Sequence, residues 1–383
     1  MTRLSAVLTV ILVLLSAPIV GATSVAPAAV AQIPIPLEGL PIPQPPSVSA
    51  QSWILYDETF DQVLGELDPD VQRPMASTTK MMTAIVVLEN VALTDRVTIS
   101  TNAAEAGESE IGLYAGETMT VGDLLYAMLL QSANDGAVAL AEHVGGSVAS
   151  FVRMMNDKAA ELGLENTRFA NPHGLDAPGH YSSSRDLLTI ARYGMALPAF
   201  AEIVKTTTYS LPPAPDGTAR EARLSNELVR TYEGAFGVKT GYTDEAGLTL
   251  VAGAEREGRR IYAVVMDSDD HFADSAQLLN FGFEAFTVLS VFDIAQQLGI
   301  VRTGDDVEPA LAEDPVEVFG PTGNAVVTEP RSGDGGVVVV ATVNNEVIGT
   351  TGIRTDQLHA LPALRDSFAW AGRYWNWLWG LEE

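Results

Sequence analysis

The sequence predicts an α+β fold, one antiparallel sheet flanked by helices, followed by a small β domain and a C-terminal amphipathic aromatic helix. Three observations predict it. Strand-like runs stand at both ends of the segment 52–286, and helical runs fill its middle. Beyond about Leu298 the chain turns to short β-prone runs between Gly, Pro and Asn.

The chain opens on a short cationic start, Met1-Thr2-Arg3, and continues without charge from Leu4 to Val20. Small residues at Val20-Gly21-Ala22 and Ala29-Val30-Ala31 suit signal-peptidase cleavage. Two readings of residues 1–22 fit: a cleaved signal peptide, or a retained anchor, since Leu4 to Ala22 is about enough to cross a hydrocarbon layer of roughly 30 Å. Both export the rest of the chain, to the cell wall or the outer face of the cytoplasmic membrane. Residues 23–51 are rich in Pro and Ala, with Pro34, Pro36, Pro41, Pro43, Pro45 and Pro46 close together, and read as an extended linker.

Residues 52–297 read as the main domain. Ser52 to Tyr56 and Gln62 to Glu66 form a hairpin around Asp57-Glu58. Ser77 to Leu88 is helical, and Val121 to Leu130 is a second helix entered from Gly116-Glu117-Thr118. Phe151 to Leu162 is a third, stopped by Gly163. Leu248 to Ala254 and Ile261 to Met266 pair as strands, with Glu255 to Arg260 as the turn. A small β domain follows at 298–353, from the runs Val316–Phe319, Ala325–Thr328, Gly336–Val343 and Glu346–Gly349. In 354–383, Leu361, Leu364, Phe368, Ala371, Trp375 and Leu378 recur at helical spacing, and four of the five tryptophans lie within Trp370 to Trp379. Such a helix either packs into protein or seats at a membrane surface. Tryptophan favours the surface reading, whereas Asp366, Glu382 and Glu383 outnumber Arg365 and Arg373 and oppose it.

Composition narrows the function. Of 383 residues 47% are apolar, enough for a full core, and 49 acidic side chains against 22 Lys and Arg give a net charge of −27. That surface repels phosphates and excludes nucleic-acid binding. The absence of cysteine removes disulfides, thiolate catalysis and Cys-based zinc sites.

The chemistry centres on Ser77-Thr78-Thr79-Lys80. Ser77 falls at a helix N-terminus, where unpaired backbone N–H groups favour negative charge on its oxygen. Lys80, three residues on, shares its helix face and can reach the hydroxyl. A serine needs such a base, and a lysine can be one only if burial and nearby cations lower its pKa. Alone the pattern is weak, because a capping serine and a solvated lysine look the same. Two further motifs strengthen it: Ser132-Ala133-Asn134 after a helix, and Lys239-Thr240-Gly241 before a strand, in the order found in penicillin-binding proteins and class A β-lactamases. The chain has only four lysines, Lys80, Lys158, Lys205 and Lys239, and two fall in these motifs. Arginine cannot be deprotonated, which gives Lys80 a reason to be lysine.

From Ser52 to about Phe286 the chain resembles the low-molecular-mass penicillin-binding proteins, the serine D-alanyl-D-alanine carboxypeptidases of the S11 type. Besides the trio, the resemblance rests on Arg73-Pro74-Met75-Ala76-Ser77, Ala115-Gly116-Glu117 with Leu124-Leu125, Asn171-Pro172-His173-Gly174-Leu175 and Gly237 to Thr243. It implies a β-lactamase/transpeptidase-like catalytic domain and removal of the terminal D-alanine from peptidoglycan stem peptides. It implies that Ser77 attacks the carbonyl between two D-alanines while Lys80 takes its proton. Ser132 would relay a proton to the leaving amine, and Asn134 would hold Lys80 and the substrate amide. Lys239 and Thr240 would pair with the terminal carboxylate beside Gly241, with the N–H groups of Ser77 and Tyr242 as the oxyanion hole. No cofactor and no metal are implied, β-lactams would acylate Ser77, and endopeptidase action on cross-links falls within the same chemistry.

Three rival readings fit the sequence less well. A class A β-lactamase adds a glutamate in a Glu-x-x-Leu-Asn segment. The nearest approach, Glu161-Leu162-Gly163-Leu164-Glu165, has Glu where Asn belongs, and Glu161 reads as exposed near a helix end. A zinc peptidase needs clustered histidines and carboxylates, whereas His173 sits in a turn-like segment near His180 and reads as a loop brace. A scaffold with a vestigial site is opposed by the intact Ser77, Lys80, Ser132, Asn134 and Lys239.

Overall fold

The computed structural model describes residues 43–290 continuously, with side chains as far as Phe286. It also describes the strand backbones Ala31–Pro34, Val316–Pro321, Val327–Gly333, Gly336–Val343 and Glu346–Arg354. The expected leader, most of the linker and the Trp-rich helix lie outside the described residues.

The principal elements run as follows. A hairpin, β1 (Ser52–Asp57) and β2 (Gln62–Leu67), leads through a 3-10 turn, Ala76–Thr79, into α1 (Lys80–Asn90). Next come α2 (Val121–Leu130), α3 (Asn134–Gly145), α4 (Val148–Glu161), α5 (Ser184–Met195) and α6 (Pro198–Lys205). A short hairpin, β3 (Thr208–Leu211) and β4 (Arg220–Arg223), precedes the long strands β5 (Ala235–Thr243), β6 (Gly247–Arg256) and β7 (Arg259–Ser268), and α7 (His271–Ala285) closes the unit.

Five strands form one sheet in the order β2-β1-β7-β6-β5, every neighbouring pair antiparallel. The two ends of the segment therefore meet in the middle of the sheet, where β1 pairs with β7. One face carries α1 to α6 around a core of Met81, Ile85, Leu125, Leu140, Phe151 and Val251. The other carries α7, whose Leu278 shares a core with Leu55, Leu250 and Ile261. Helix α1 runs through the middle of the first layer: every residue from Lys80 to Val87 is buried. A helix apolar around most of its circumference has no other stable place. No single helix among the described residues is long and apolar enough to cross a bilayer.

The helix boundaries follow local chemistry. Thr120 and Asp123 form a reciprocal capping box at the start of α2, one residue pair beyond the expected Gly116–Thr118 entry. Gly163, at φ +69°, ends the turn after α4 as anticipated. The β6–β7 connection is tighter than the expected Glu255–Arg260 turn. Arg256 pairs with Arg259, leaving Glu257 and Gly258 at φ +52° and +79° as a two-residue hairpin loop. The Lys239-Thr240-Gly241 motif corrects a second expectation, because it lies within β5 rather than before a strand. Upstream of β1, Ser49 and Ala50 bind the Asp274 carboxylate of α7 through Ser49 N (3.1 Å), Ser49 Oγ (2.7 Å) and Ala50 N (2.9 Å).

Beyond α7, Phe286–Ser290 pairs antiparallel with Val316–Pro321, which also pairs with Ala31–Pro34 in parallel. Val327–Gly333, Gly336–Val343 and Glu346–Arg354 form a three-stranded antiparallel sheet.

Candidate active site

The Ser77 turn is held by backbone on both sides. Ala76 stands at φ +47°, a left-handed conformation that only a tightly determined environment keeps in a non-glycine residue. Gly174 presses on one side: a Cβ there would lie 2.0 Å from the Ala76 carbonyl oxygen and 2.9 Å from Ser77 N. Gly241 of β5 presses as well, since its Cβ would stand 3.0 Å from both Ala76 Cβ and Ser77 N. Only glycines allow a loop and a strand to approach the serine this closely. The neighbouring hydroxyls turn back on the chain, Thr78 Oγ1 donating to Met75 O (2.5 Å) and Thr79 Oγ1 to Ala76 O (2.8 Å). Ser77 is therefore the second residue of the 3-10 turn Ala76–Thr79, and the α-helix proper starts at Lys80.

Lys80 is fully buried and spends its amine on three oxygens. Nζ lies 2.9 Å from Ser77 Oγ, 2.7 Å from Asn134 Oδ1 and 2.5 Å from the carbonyl of His173. Burial drives its pKa well below the ordinary lysine value, and the Lys239 cation pushes it further, against the attraction of Asp135. That is the state in which a lysine can accept a proton from a serine.

Ser132 and Asn134 approach from the junction of α2 and α3. Ser132 takes φ +68°, and its buried Oγ has no hydrogen-bond partner. Asn134 opens α3; its Nδ2 donates to Gly107 O (3.0 Å) and its backbone N to Ser109 O (2.6 Å), so that Oδ1 is left for Lys80.

Lys239 enters from β5, also fully buried, with Nζ donating to Thr240 O at 2.9 Å. Burial alone lowers its pKa, to about 7. Both amines are desolvated, but Lys80 additionally bears the repulsion of Lys239, so the arrangement favours a neutral Lys80 beside a charged Lys239. Thr240 Oγ1 shares a hydrogen bond with Ser225 Oγ (2.8 Å). Tyr242 is 62% exposed at the rim, its hydroxyl donating to Asp244 Oδ1.

Sequence reasoning missed several supporting groups: Ser225, Asp135 and the Gly107–Leu113 loop, and the full part played by Asn171 to Gly174. Asn171 Oδ1 accepts from the N–H groups of His173 (3.2 Å) and Gly174 (2.6 Å), folding the segment so that its carbonyls face α1. Pro172 O takes the Thr83 hydroxyl and His173 O takes Lys80. The signal was present, in Asn-Pro-His-Gly as a turn with a glycine at φ +95°, but not the identity of what the turn touches. His180 bonds Thr79 Oγ1 through Nε2 (2.8 Å) and accepts Ala170 N at Nδ1 (3.0 Å). Burial lowers the pKa of both His173 and His180 to about 4, so they are neutral braces at physiological pH. No cluster of three His, Cys, Asp or Glu side chains able to hold a metal occurs among the described residues.

A family model for the D-alanyl-D-alanine carboxypeptidases of peptidase family S11 matches residues 41–270, well over half of the chain. The chain belongs to this family. Family membership makes it a serine-type D-alanyl-D-alanine carboxypeptidase. It is 35% identical over 263 residues to the D-alanyl-D-alanine carboxypeptidase DacF of Bacillus subtilis (strain 168), covering 66% of this chain and 67% of that one. To DacB2 of Mycobacterium tuberculosis (strain ATCC 25618 / H37Rv) it is 37% identical, covering 65% and 86%. The match to DacC of Escherichia coli (strain K12) spans 64% of each. Among solved structures, the Streptomyces K15 DD-transpeptidase superposes with a TM-score of 0.60 at 34% identity, covering 63% of this chain and 99% of that one. The D-alanyl-D-alanine carboxypeptidase from Mycobacterium tuberculosis H37Rv superposes at 0.59 with 36% identity, covering 65% and 95%.

Within this S11 carboxypeptidase, Glu161 is remote from the nucleophile. It closes α4, paired with Lys158 at 2.8 Å, and lines a surface pocket with Val86, Glu89 and Asn90 from the far end of α1. Lys158, one of the two lysines outside the motifs, is shared between Glu161 and Glu89.

Proposed function

We propose that Ser77 is the nucleophile and Lys80 the base of a D-alanyl-D-alanine carboxypeptidase reaction. The observation that carries this reading is the position of Lys80 Nζ, buried and 2.9 Å from Ser77 Oγ while Asn134 and His173 hold it in place. Ser77 Oγ bonds to the carbonyl carbon of the penultimate D-alanine as its proton passes to Lys80. The carbonyl oxygen gains negative charge against the N–H groups of Ser77 and Tyr242. Ser132 Oγ, which has no partner in the free protein, relays a proton to the leaving D-alanine amine. Water then attacks the acyl-serine, and Lys80 serves again as base.

Lys239 and the Thr240 hydroxyl hold the substrate's terminal carboxylate, which restricts the reaction to free C-termini. Its ammonium suits a point-charge contact on a compact group. Penicillins, which present a carboxylate and a strained amide in the same relation, acylate Ser77. The substrate is a peptidoglycan stem peptide, so the protein acts outside the cytoplasm, with residues 1–22 as the export signal or anchor. Residues 298–353 are read as a small β domain, and the Trp-rich stretch 354–383, outside the described residues, as a helix that either packs into protein or seats at a membrane surface.

The direct test is D-alanine release from an N,N-diacyl-L-Lys-D-Ala-D-Ala peptide, with and without a glycine acceptor. Release by the wild type and none by Ser77→Ala supports the reading. Release of D-alanine only when glycine is present, with the acyl group recovered on the glycine, would assign the chain a transpeptidase reaction, and no release under either condition would refute both.

A further inference from the structure

One buried carboxylate stands beside this machinery without a role in it. Asp135, the residue after Asn134, is fully buried in the first turn of α3. No lysine or arginine bonds it among the described residues; its partners are backbone N–H groups. Oδ1 accepts from Gly136 N (2.8 Å) and Ile111 N (3.3 Å), and Oδ2 from Ile111 N (3.1 Å) and Leu113 N (3.1 Å). Two of its three donors thus belong to the loop that covers the Ser132–Asn134 turn.

That loop is stitched to the turn along its length. Gly107 O accepts Asn134 Nδ2, and Ser109 O accepts Asn134 N. Ser109 Oγ donates to Gln131 O (2.9 Å), Gln131 Nε2 donates to Glu110 O (2.9 Å), and Glu110 Oε1 accepts Gly107 N (2.7 Å). The amide of Asn134 is symmetric in shape, and only its partners decide which end faces Lys80. With Gly107 O in place, Nδ2 has an acceptor and Oδ1 turns to the lysine. A flipped amide would set two donors against the Lys80 amine.

We propose that Asp135 is a positioning residue of this enzyme: by gripping Ile111 and Leu113 it fixes the loop whose Gly107 carbonyl orients Asn134 toward Lys80. This rests on Lys80 acting as the base. An ionised carboxylate suits the role because it is acceptor-only and can serve three N–H groups at once, which a neutral amide cannot. Its charge adds a second effect. The groups facing Lys80 are Lys239 on β5, His173 and His180 on the loop before α5, and Asp135 on α3. Both histidines are neutral, so Asp135 alone opposes the lowering of the Lys80 pKa by burial and by Lys239. Burial raises the pKa of Asp135 itself and Glu110 raises it further, against the three N–H groups, which favour the ionised form.

The test is the rate constant for acylation by penicillin, followed in the whole protein across the pH range, for wild type, Asp135→Asn and Asp57→Asn. Asp57 is an equally buried carboxylate at the far side of the sheet, paired with Arg259, and serves as the structural control. Asp135→Asn is expected to slow acylation on the order of tenfold, as small misplacements of reacting groups do. Its acid limb moves to lower pH, because a Lys80 without that negative charge loses its proton sooner. Asp57→Asn lowers the melting temperature and leaves the limb in place. A folded Asp135→Asn protein with the wild-type rate and limb, or with a lower melting temperature only, overturns the proposal. If Asp135→Asn does not fold, Glu110→Ala releases Gly107 N from the same loop. Slower acylation then supports the proposal and an unchanged rate overturns it. Failure of the wild type to acylate would instead strike the assignment of Ser77.

Discussion

Gly174 lies directly against Ala76, so close that a methyl group on it would meet the Ala76 carbonyl oxygen at 2.0 Å. The contact ties the loop that supplies the His173 carbonyl to the turn that presents Ser77. Gly174→Ala must displace one of them, and φ +95° strains any side chain there besides. The expected loss is about 3 kcal/mol of stability, in the range of severe backbone conflicts. Penicillin acylation slows in the protein that still folds. Thermal melts and acylation kinetics on the same sample check both.

The pKa of Lys239, lowered by burial to about 7, sets a pH dependence with a definite sign. The ammonium form binds the carboxylate, so affinity for a peptide with a free C-terminus is full below that value and declines as pH rises through it. The predicted limb is as much as tenfold in kcat/KM per pH unit, the limit for one ionisation. A C-terminal amide should lack it. Stability runs the other way. The unfolded chain keeps this proton up to about pH 10.4, so the contribution of Lys239 to stability improves between about 7 and that value. Lys239→Gln removes both dependences, as kinetics and melts across the range would reveal.

Asp57, on β1, is buried under Arg259, whose Nε donates to it at 2.5 Å while the other guanidinium nitrogens reach Phe286 O and Gly282 O. The cluster locks β7 to α7. Removing one member of a buried pair costs about 3–5 kcal/mol. Asp57→Ala should lower the denaturation midpoint accordingly and leave the acylation rate of folded protein unchanged. A rate loss without a stability loss would show the Asp57–Arg259 cluster to be coupled to the site.

The placement of Glu161 predicts how long the penicilloyl-enzyme lasts. Since Glu161 pairs with Lys158 beyond the far end of α1, Glu161→Gln should not alter the lifetime of the adduct. Mass spectrometry of the adduct over time checks this, and a longer lifetime in the variant would give Glu161 a part in deacylation.

The parts of this site written in local sequence were legible. Ser77 and Lys80 are three apart, Ser132 follows a capped helix, and the sheet hairpins show as short β-prone runs around turns. What stayed hidden depends on tertiary contact. Helix α3 begins Asn-Asp-Gly-Ala-Val-Ala-Leu-Ala, and all eight of those residues are buried, so it has no polar face to betray a helical period. The buried role of Asp135 was invisible for the same reason, since its partners Ile111 and Leu113 are more than twenty residues away. Lys239-Thr240-Gly241 lies inside β5 and not before a strand, Gly241 included. In the fold that glycine is kept inside β5 by the approach of Ser77.

The central claim, that Lys80 activates Ser77 for acyl transfer, is tested most directly by the intact mass of the protein after exposure to penicillin G, beside Ser77→Ala and Lys80→Met. One stable penicilloyl adduct is expected on the wild type and none on either variant. An adduct that persists in Ser77→Ala would place the nucleophile elsewhere, and wild-type protein left unmodified by the drug would contradict the account altogether.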